Sequence, residues 1–213
     1  MTTLITQAAP DVWVASGELE QWAREKAHPD DRAAAAPLSR RREAEFVASR
    51  SLLRHLLRLT VPERARTPIR ADAHGRPVLD GDPGTGISIS HDGSAIAVAV
   101  GRRRRVGVDV QLPLNTVPDG LLRRCLGPHT PKIRPLSERR RAVELAWVWT
   151  AQEACVKAAG TGLPGSPWSI DITPGRHEGQ WEQFRWISLR DRSHTPLSCA
   201  FSAPDNGLEA TCS

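Results

Sequence analysis

The chain reads as an α+β protein built twice over, each half carrying helices followed by a few short strands, with the join near Gly101–Val106. Two observations predict this. Helical periodicity gathers in two long stretches, Ser39 to Pro62 and Ser137 to Ala159, and each is followed by apolar runs of strand length broken by Gly, Pro and Asp. At 213 residues the chain accommodates one large domain or two small ones sharing a core. With 25% charged and 39% hydrophobic residues it has a globular balance, which excludes a disordered or collagen-like chain.

In chain order, Asp11–Ala15 alternates as a short strand, Glu18–Ala27 reads as a helix broken by Pro29, and Ala33–Pro37 reads as a connector. Ser39 suits an N-cap for a long helix with Phe46, Leu53, Leu56 and Leu57 on one stripe and Arg40, Arg41, Arg42, Arg50 and Arg54 largely off it. From Ile69 the texture is that of sheet, with strands at Ile87–Ser90, Ala95–Val100 and Val106–Val110. The turns between them fall at His91–Ser94 and Gly101–Arg105. After a Pro-rich linker come a helix over Ser137–Trp149 and a second over Ala151–Ala159, which Gly160-Thr-Gly162 ends. Three further strands are read at Trp168–Ile172, Trp186–Leu189 and Leu197–Phe201.

A net charge of +5 points to an anionic partner: nucleic acid, a phosphorylated ligand or an acidic protein. Of the 29 basic residues only Lys26, Lys132 and Lys157 are lysines, which singles them out against an arginine-rich background. The nucleic-acid reading lacks an aromatic RNP pattern, a zinc framework and an identifiable recognition helix. Cys125, Cys155, Cys199 and Cys212 stand far apart with no CxxC pair, so free thiols are expected rather than a zinc module or a disulfide scaffold. No run of 18 apolar residues and no secretory leader is apparent, which leads us to expect a cytoplasmic protein without membrane association. Arg102–Arg105 reads as a solvated hairpin tip, and Trp147 with Trp149 as core.

Two pairs of residues carry the chemistry. Asp109 and Gln111 share one face of a strand end, while Glu153 and Lys157, spaced i,i+4, share a helix face. If strand and helix meet, two carboxylates lie beside one cation, a set suited to Mg²⁺ and a phosphate. The same residues also fit plainer roles. Thr150-Ala-Gln-Glu153 matches a helix capping box, and Glu153 with Lys157 matches an ordinary helical ion pair.

Taken in order, Arg50-Ser-Leu-Leu-Arg54, Gly75-Arg-Pro77, Ile87-Ser-Ile-Ser-His-Asp-Gly-Ser94, Val106-Gly-Val-Asp-Val110 and Trp149-Thr-Ala-Gln-Glu-Ala-Cys-Val-Lys157 resemble the motifs of the 4′-phosphopantetheinyl transferase superfamily. They are most similar to those of its long, pseudo-dimeric, monomeric type, which serves polyketide and nonribosomal peptide synthetases. The resemblance runs from about Leu38 to Leu163. It implies two similar subdomains, residues 1–104 and 105–213, each a small, mainly antiparallel sheet with packed helices, related by pseudo-two-fold symmetry with the active site between them.

The resemblance also implies transfer of the phosphopantetheine arm of coenzyme A to a serine of an acyl or peptidyl carrier protein, with Mg²⁺ as cofactor and 3′,5′-ADP released. Asp109, Glu153 and Gln111 would then surround the metal, Glu153 would take the serine proton, and Lys157 would hold the pyrophosphate. Arg50, His91 and one of the arginines from Arg40 to Arg42 would grip the 3′-phosphate, with Ser90, Arg76 and Pro77 along the adenine. Two positions depart from the pattern. Gln111 stands where a glutamate is usual, and Gln152 where a lysine beside Glu153 is usual. They motivate an alternative, a degenerate homologue that binds coenzyme A or a carrier protein without chemistry.

Overall fold

The computed structural model describes residues 3–205. Leu4–Ala9 (β1) and Val12–Glu18 (β2) form a hairpin whose turn places Asp11 at φ +61°. Short helices follow at Leu19–Ala23 (α1) and Pro29–Ala35 (α2), then the 21-residue helix Arg40–Thr60 (α3). Pro29 does not end a helix but begins one. It occupies the first turn, where its missing N–H costs nothing, and the His28 ring accepts the Asp30 amide. The expected connector over Ala33–Pro37 is therefore partly α2. Ser39 caps α3 by position, without a side-chain bond, and the helix stops at Val61 before Pro62.

Strands Ile69–Ala71 (β3) and Pro77–Leu79 (β4) make a two-stranded ribbon, followed by Thr85–Asp92 (β5), Ala95–Arg102 (β6) and Val106–Val110 (β7). The presumed linker instead holds helices Asp119–Leu126 (α4) and Thr130–Ile133 (α5). Glu138–Ala159 (α6) is one continuous helix of 22 residues, not two, since no Gly or Pro interrupts it. Thr150 stays helical by bonding its hydroxyl to the Trp147 carbonyl and the Ser198 hydroxyl, so it forms no capping box. Gly160, at φ +75°, closes α6 in the left-handed cap that glycine adopts without strain. Glu178–Trp181 (β8), Phe184–Ser188 (β9) and Leu197–Ser202 (β10) complete the chain. Trp168–Ile172 is not a strand: Pro167–Ser169 winds as a 3₁₀ turn after Ser166 at φ +50°, and Ile170 and Ile172 enter the core from a loop.

The two halves repeat one plan. Each has a four-stranded antiparallel sheet, ordered β1-β2-β6-β5 and β7-β10-β9-β8, with a long helix on one face. Leu52, Leu53, Leu56 and Leu57 of α3 pack on Ile96, Val98 and Val100, while α6 packs on Phe184, Trp186 and Ala200. The other faces of the sheets meet each other. Val12, Val14, Ala95, Ala97 and Ala99 pack against Val106, Val108, Val110, Leu197, Cys199 and Phe201. Strand β6 is apolar at nearly every position because it is buried on both faces, alanines toward the other sheet and branched residues toward α3.

The arginine run is exposed but bound, not a free tip. Arg102 donates to the Thr60 carbonyl, Arg104 to the Ser202 carbonyl at 2.7 Å and Arg105 to the Ala159 carbonyl. These are terminal carbonyls of α3, β10 and α6, so the run ties the halves together where they join. Cys125, Cys155 and Cys199 are free and buried, and burial pushes the Cys155 and Cys199 thiols well above their ordinary range. Cys212 lies outside the described residues. Among the described residues no helix is long and apolar enough to cross a membrane.

Candidate functional site

The edge strands β5 and β7 lie side by side, one from each half. Helix α6 crosses β7 at backbone contact. A Cβ at Gly107 would stand 2.0 Å from the Ala154 carbonyl oxygen and 2.4 Å from the Ala158 nitrogen, so only glycine lets the helix settle this deep. That approach brings Lys157 to Asp109. The Lys157 Nζ donates to Asp109 Oδ1 at 2.6 Å and to Ser90 Oγ at 3.1 Å, and the Ser90 hydroxyl donates to the same Oδ1 at 2.7 Å. The helical ion pair between Glu153 and Lys157 is thus not formed, since Lys157 turns to Asp109 and Ser90 instead.

Glu153 lies one turn before Lys157 and is buried, 9% exposed. Its Oε1 and the Asp109 Oδ2 are both buried without a hydrogen-bond partner. Burial pushes the Glu153 carboxyl up, and the Asp109 charge adds to this while Lys157 opposes it. Asp109 is pushed up chiefly by burial and slightly by Asp92, with Lys157 and Ser90 pulling it back. Two orphaned carboxylate oxygens beside one ammonium form a donor set with unspent negative charge, which fits a hard divalent cation that takes oxygen ligands and keeps waters. Among the described residues no group of three or more His, Cys, Asp or Glu side chains converges on a point.

The structure places the remaining predicted residues as follows. A cavity of about 400 Å³ lies between α3 and β5, lined by Leu38, Arg42, Phe46, Arg50, Pro77 and His91. Arg50 is 7% exposed, its guanidinium 4.9 Å above the Phe46 ring and its Nη1 without a partner. Burial lowers its pKa, with the Asp31 charge opposing. A buried guanidinium with an unpartnered Nη1, at a cavity also lined by Arg42 and His91, suits a phosphate. Arg40 is exposed at the start of α3 and does not line this cavity. Arg76 borders a neighbouring cavity of about 660 Å³ with Arg103, Arg104 and Arg105, holding Asp72 at 3.1 Å, and Pro77 lines both.

Arg54 belongs elsewhere. It is 3% exposed, paired with Asp31 of α2 and donating to the carbonyls of Ala65 and Thr67 at 2.9 and 3.2 Å. The expectation that Arg50 and Arg54 lie off the buried stripe is therefore corrected, because each is buried on its own polar partner or cavity. Gln152 is fully buried and faces away from the site, its amide nitrogen donating to the Cys125 and Ile170 carbonyls at 2.8 Å each. It pins α6 to the end of α4.

Two roles escape the sequence reading. Ser90 is a hub for Asp109 and Lys157, and Asp92 accepts from the Gln111 side chain and from the Leu112 amide. Gln111 lies just beyond β7, and its amide nitrogen is held by Asp92. The sequence signal for both is the alternation of Ser88, Ser90 and Asp92 along β5, which runs through Asp92.

A family model described as the 4′-phosphopantetheinyl transferase superfamily matches residues 105–207. A second, described as the 4′-phosphopantetheinyl transferase N-terminal domain, matches residues 28–101. No curated protein matches the chain.

Proposed function

We propose that this chain, which belongs to the 4′-phosphopantetheinyl transferase superfamily, moves the phosphopantetheine arm of coenzyme A to a serine hydroxyl of an acyl or peptidyl carrier protein and releases 3′,5′-ADP. The observation that carries this reading is the pair of opposite unsatisfied groups flanking the β5–β7 seam. The unpartnered Nη1 of Arg50 lies in one half, and the unpartnered oxygens of Asp109 and Glu153 lie in the other. A ligand with a terminal phosphate at one end and a metal-bound pyrophosphate at the other matches both.

In this reading residues 1–104 grip the 3′-phosphate and adenosine through Arg50, Arg42, His91, Pro77 and Arg76, and residues 105–213 supply the reacting end. Asp109 and Glu153 would hold Mg²⁺, with the Gln111 amide oxygen as a neutral third donor, and the ion would supply charge neutralisation of the pyrophosphate. Lys157 has three ammonium protons and gives two to Asp109 and Ser90, which leaves one for a phosphate oxygen and the charge that builds on the departing ADP. The serine oxygen attacks the phosphorus bearing the pantetheine arm and the bond to the ADP oxygen breaks. Glu153, on the α6 turn before Lys157 and facing Asp109, accepts the serine proton. The carrier belongs to the synthetase type that the motifs resemble, and the reaction takes place in the cytoplasm with the enzyme as a monomer.

The test is mass spectrometry of an apo carrier protein after incubation with the purified chain, coenzyme A and Mg²⁺. We expect one phosphopantetheine added at one serine, and none when the metal is chelated or the serine is replaced by alanine. Coenzyme A binding with no mass gain on any of several carriers would favour the non-catalytic alternative.

A further inference from the structure

Strand β7 pairs with β10 along one edge only, with Gln111 N–H continuing that ladder onto the Pro196 carbonyl at 3.0 Å. The N–H groups of Val108, Val110 and Leu112 point the other way, toward β5. There they are met by side chains and not by another backbone. Val108 N–H donates to Ser88 Oγ at 3.0 Å, Val110 N–H to Ser90 Oγ at 3.3 Å and Leu112 N–H to Asp92 Oδ2 at 2.7 Å. Two residues earlier on β5, Gly86 lies so close that a Cβ would stand 2.1 Å from the Arg104 carbonyl oxygen. Alternate residues of one half's edge strand thus stitch to alternate amides of the other's, with period two on both sides. The stitch sets which residue of β5 faces Asp109.

Asp92 ends this ladder and does more than fill a slot. An ionised carboxylate only accepts, so the Gln111 amide must turn its nitrogen to Asp92 and its oxygen away. Gln111 and Asp109 are two residues apart on an extended chain, so their side chains leave the same face. We propose that Asp92 is a positioning residue for the cation site: it fixes the Gln111 amide so that its oxygen, not its nitrogen, is presented on the side of Asp109 and Glu153. The proposal rests on the reading of those carboxylates as cation ligands. It explains why a neutral residue at 111 suits this chain, since a carboxylate there would face Asp92 at hydrogen-bonding distance with no proton between them.

The test uses the full chain and four variants, Asp92→Ala, Asp92→Asn, Gln111→Glu and the exchange Asp92→Asn/Gln111→Glu. Each is read by ligand-free thermal unfolding and by Mn²⁺ binding followed by electron paramagnetic resonance. Asp92→Ala strips the acceptor from two donors and should lower Tm by about 3–8 °C. Asp92→Asn keeps an acceptor for Leu112 but lets the Gln111 amide flip. It should hold Tm near the parent's while weakening Mn²⁺ about 3–10-fold. Gln111→Glu alone should lower Tm by about 2–4 °C through like-charge contact, and the exchange should recover that loss and bind Mn²⁺ more tightly than the parent.

An exchange no more stable than Gln111→Glu alone, or an Asp92→Asn that binds Mn²⁺ like the parent, overturns the assignment. A parent chain that binds no Mn²⁺ overturns the cation reading and this assignment with it. Parent binding without thermal coupling overturns this assignment alone.

Discussion

The two halves share a plan of four strands and a long helix, yet beside the β5–β7 seam the unsatisfied groups they present are opposite in charge. In the first half the helix α3 buries a guanidinium, Arg50, whose Nη1 has no partner. In the second the helix α6 and strand β7 bury two carboxylates, each with an unpartnered oxygen. A buried polar atom without a partner costs stability, and a bound ligand is one way to supply the missing partner. On the proposed reading the contrast calls for a divided ligand, with an anion toward one half and a cation-bearing group toward the other.

The comparison breaks most sharply at the acidic end. Asp109→Ala and Glu153→Ala should each lower carrier modification by about 10²-fold or more while coenzyme A is still retained through its 3′-phosphate, as measured by initial rates and by ligand binding on the same preparations. If either variant kept more than a tenth of the rate, the two carboxylates would not be the reacting end.

Next in size is a contrast within α3 between two arginines one turn apart. Arg54→Ala leaves Asp31 buried and unpaired, so it should destabilise the fold by about 3–5 kcal/mol in denaturant titrations. Arg50→Ala removes a buried cation with no hydrogen-bond partner at Nη1, so it should leave stability nearly unchanged or raised. It should also weaken coenzyme A by about 10–100-fold, with little effect on the analogue lacking the 3′-phosphate. Equal losses for coenzyme A and the analogue would make Arg50 structural.

These two arginines also show what the sequence could and could not disclose. Both sit in one short motif, and periodicity alone put them off the buried stripe. Their separate fates depend on Asp31, brought in by a helix that begins at a proline read as a breaker, and on a cavity closed by Pro77 and His91 from distant strands. Asp109, Glu153 and Lys157 were legible because a carboxylate ending an apolar strand and an i,i+4 pair are local patterns. Asp92 was not, because reading His91–Ser94 as a turn hid the alternation that aims Ser88, Ser90 and Asp92 at β7. The continuous α6 was obscured by Thr150, whose hydroxyl finds the helix's own carbonyl and leaves the backbone uninterrupted.

A smaller effect separates neighbours on α6. Gln152 holds two carbonyls and faces α4, whereas Glu153 faces the seam. Gln152→Ala should cost about 1–3 kcal/mol of stability, with kcat/KM per folded molecule unchanged. A loss of turnover at full stability would show that Gln152 communicates with the site after all.

The smallest expected effect concerns pH and follows from the raised Glu153 pKa. A carboxyl whose pKa is higher in the folded than in the unfolded state binds more protons when folded, so stability falls as pH rises from the ordinary carboxylate range through the folded value. Without metal, the ionised Glu153 therefore weighs against the fold at neutral pH, and acidification removes that weight. Glu153→Gln keeps the shape and deletes the titration. It should raise the metal-free Tm by about 2–4 °C at pH 7, roughly one kcal/mol for a chain of this size, and the gain should vanish at pH values below the ordinary carboxylate range. Saturating Mg²⁺ should erase the advantage at neutral pH by stabilising only the parent, because a bound cation satisfies the charge the variant lacks. Tm measured across pH with and without Mg²⁺ decides this. A Glu153→Gln protein less stable than the parent at pH 7 without metal would mean that the carboxylate already has a stabilising partner, and that the acidic half is not held in wait for a cation.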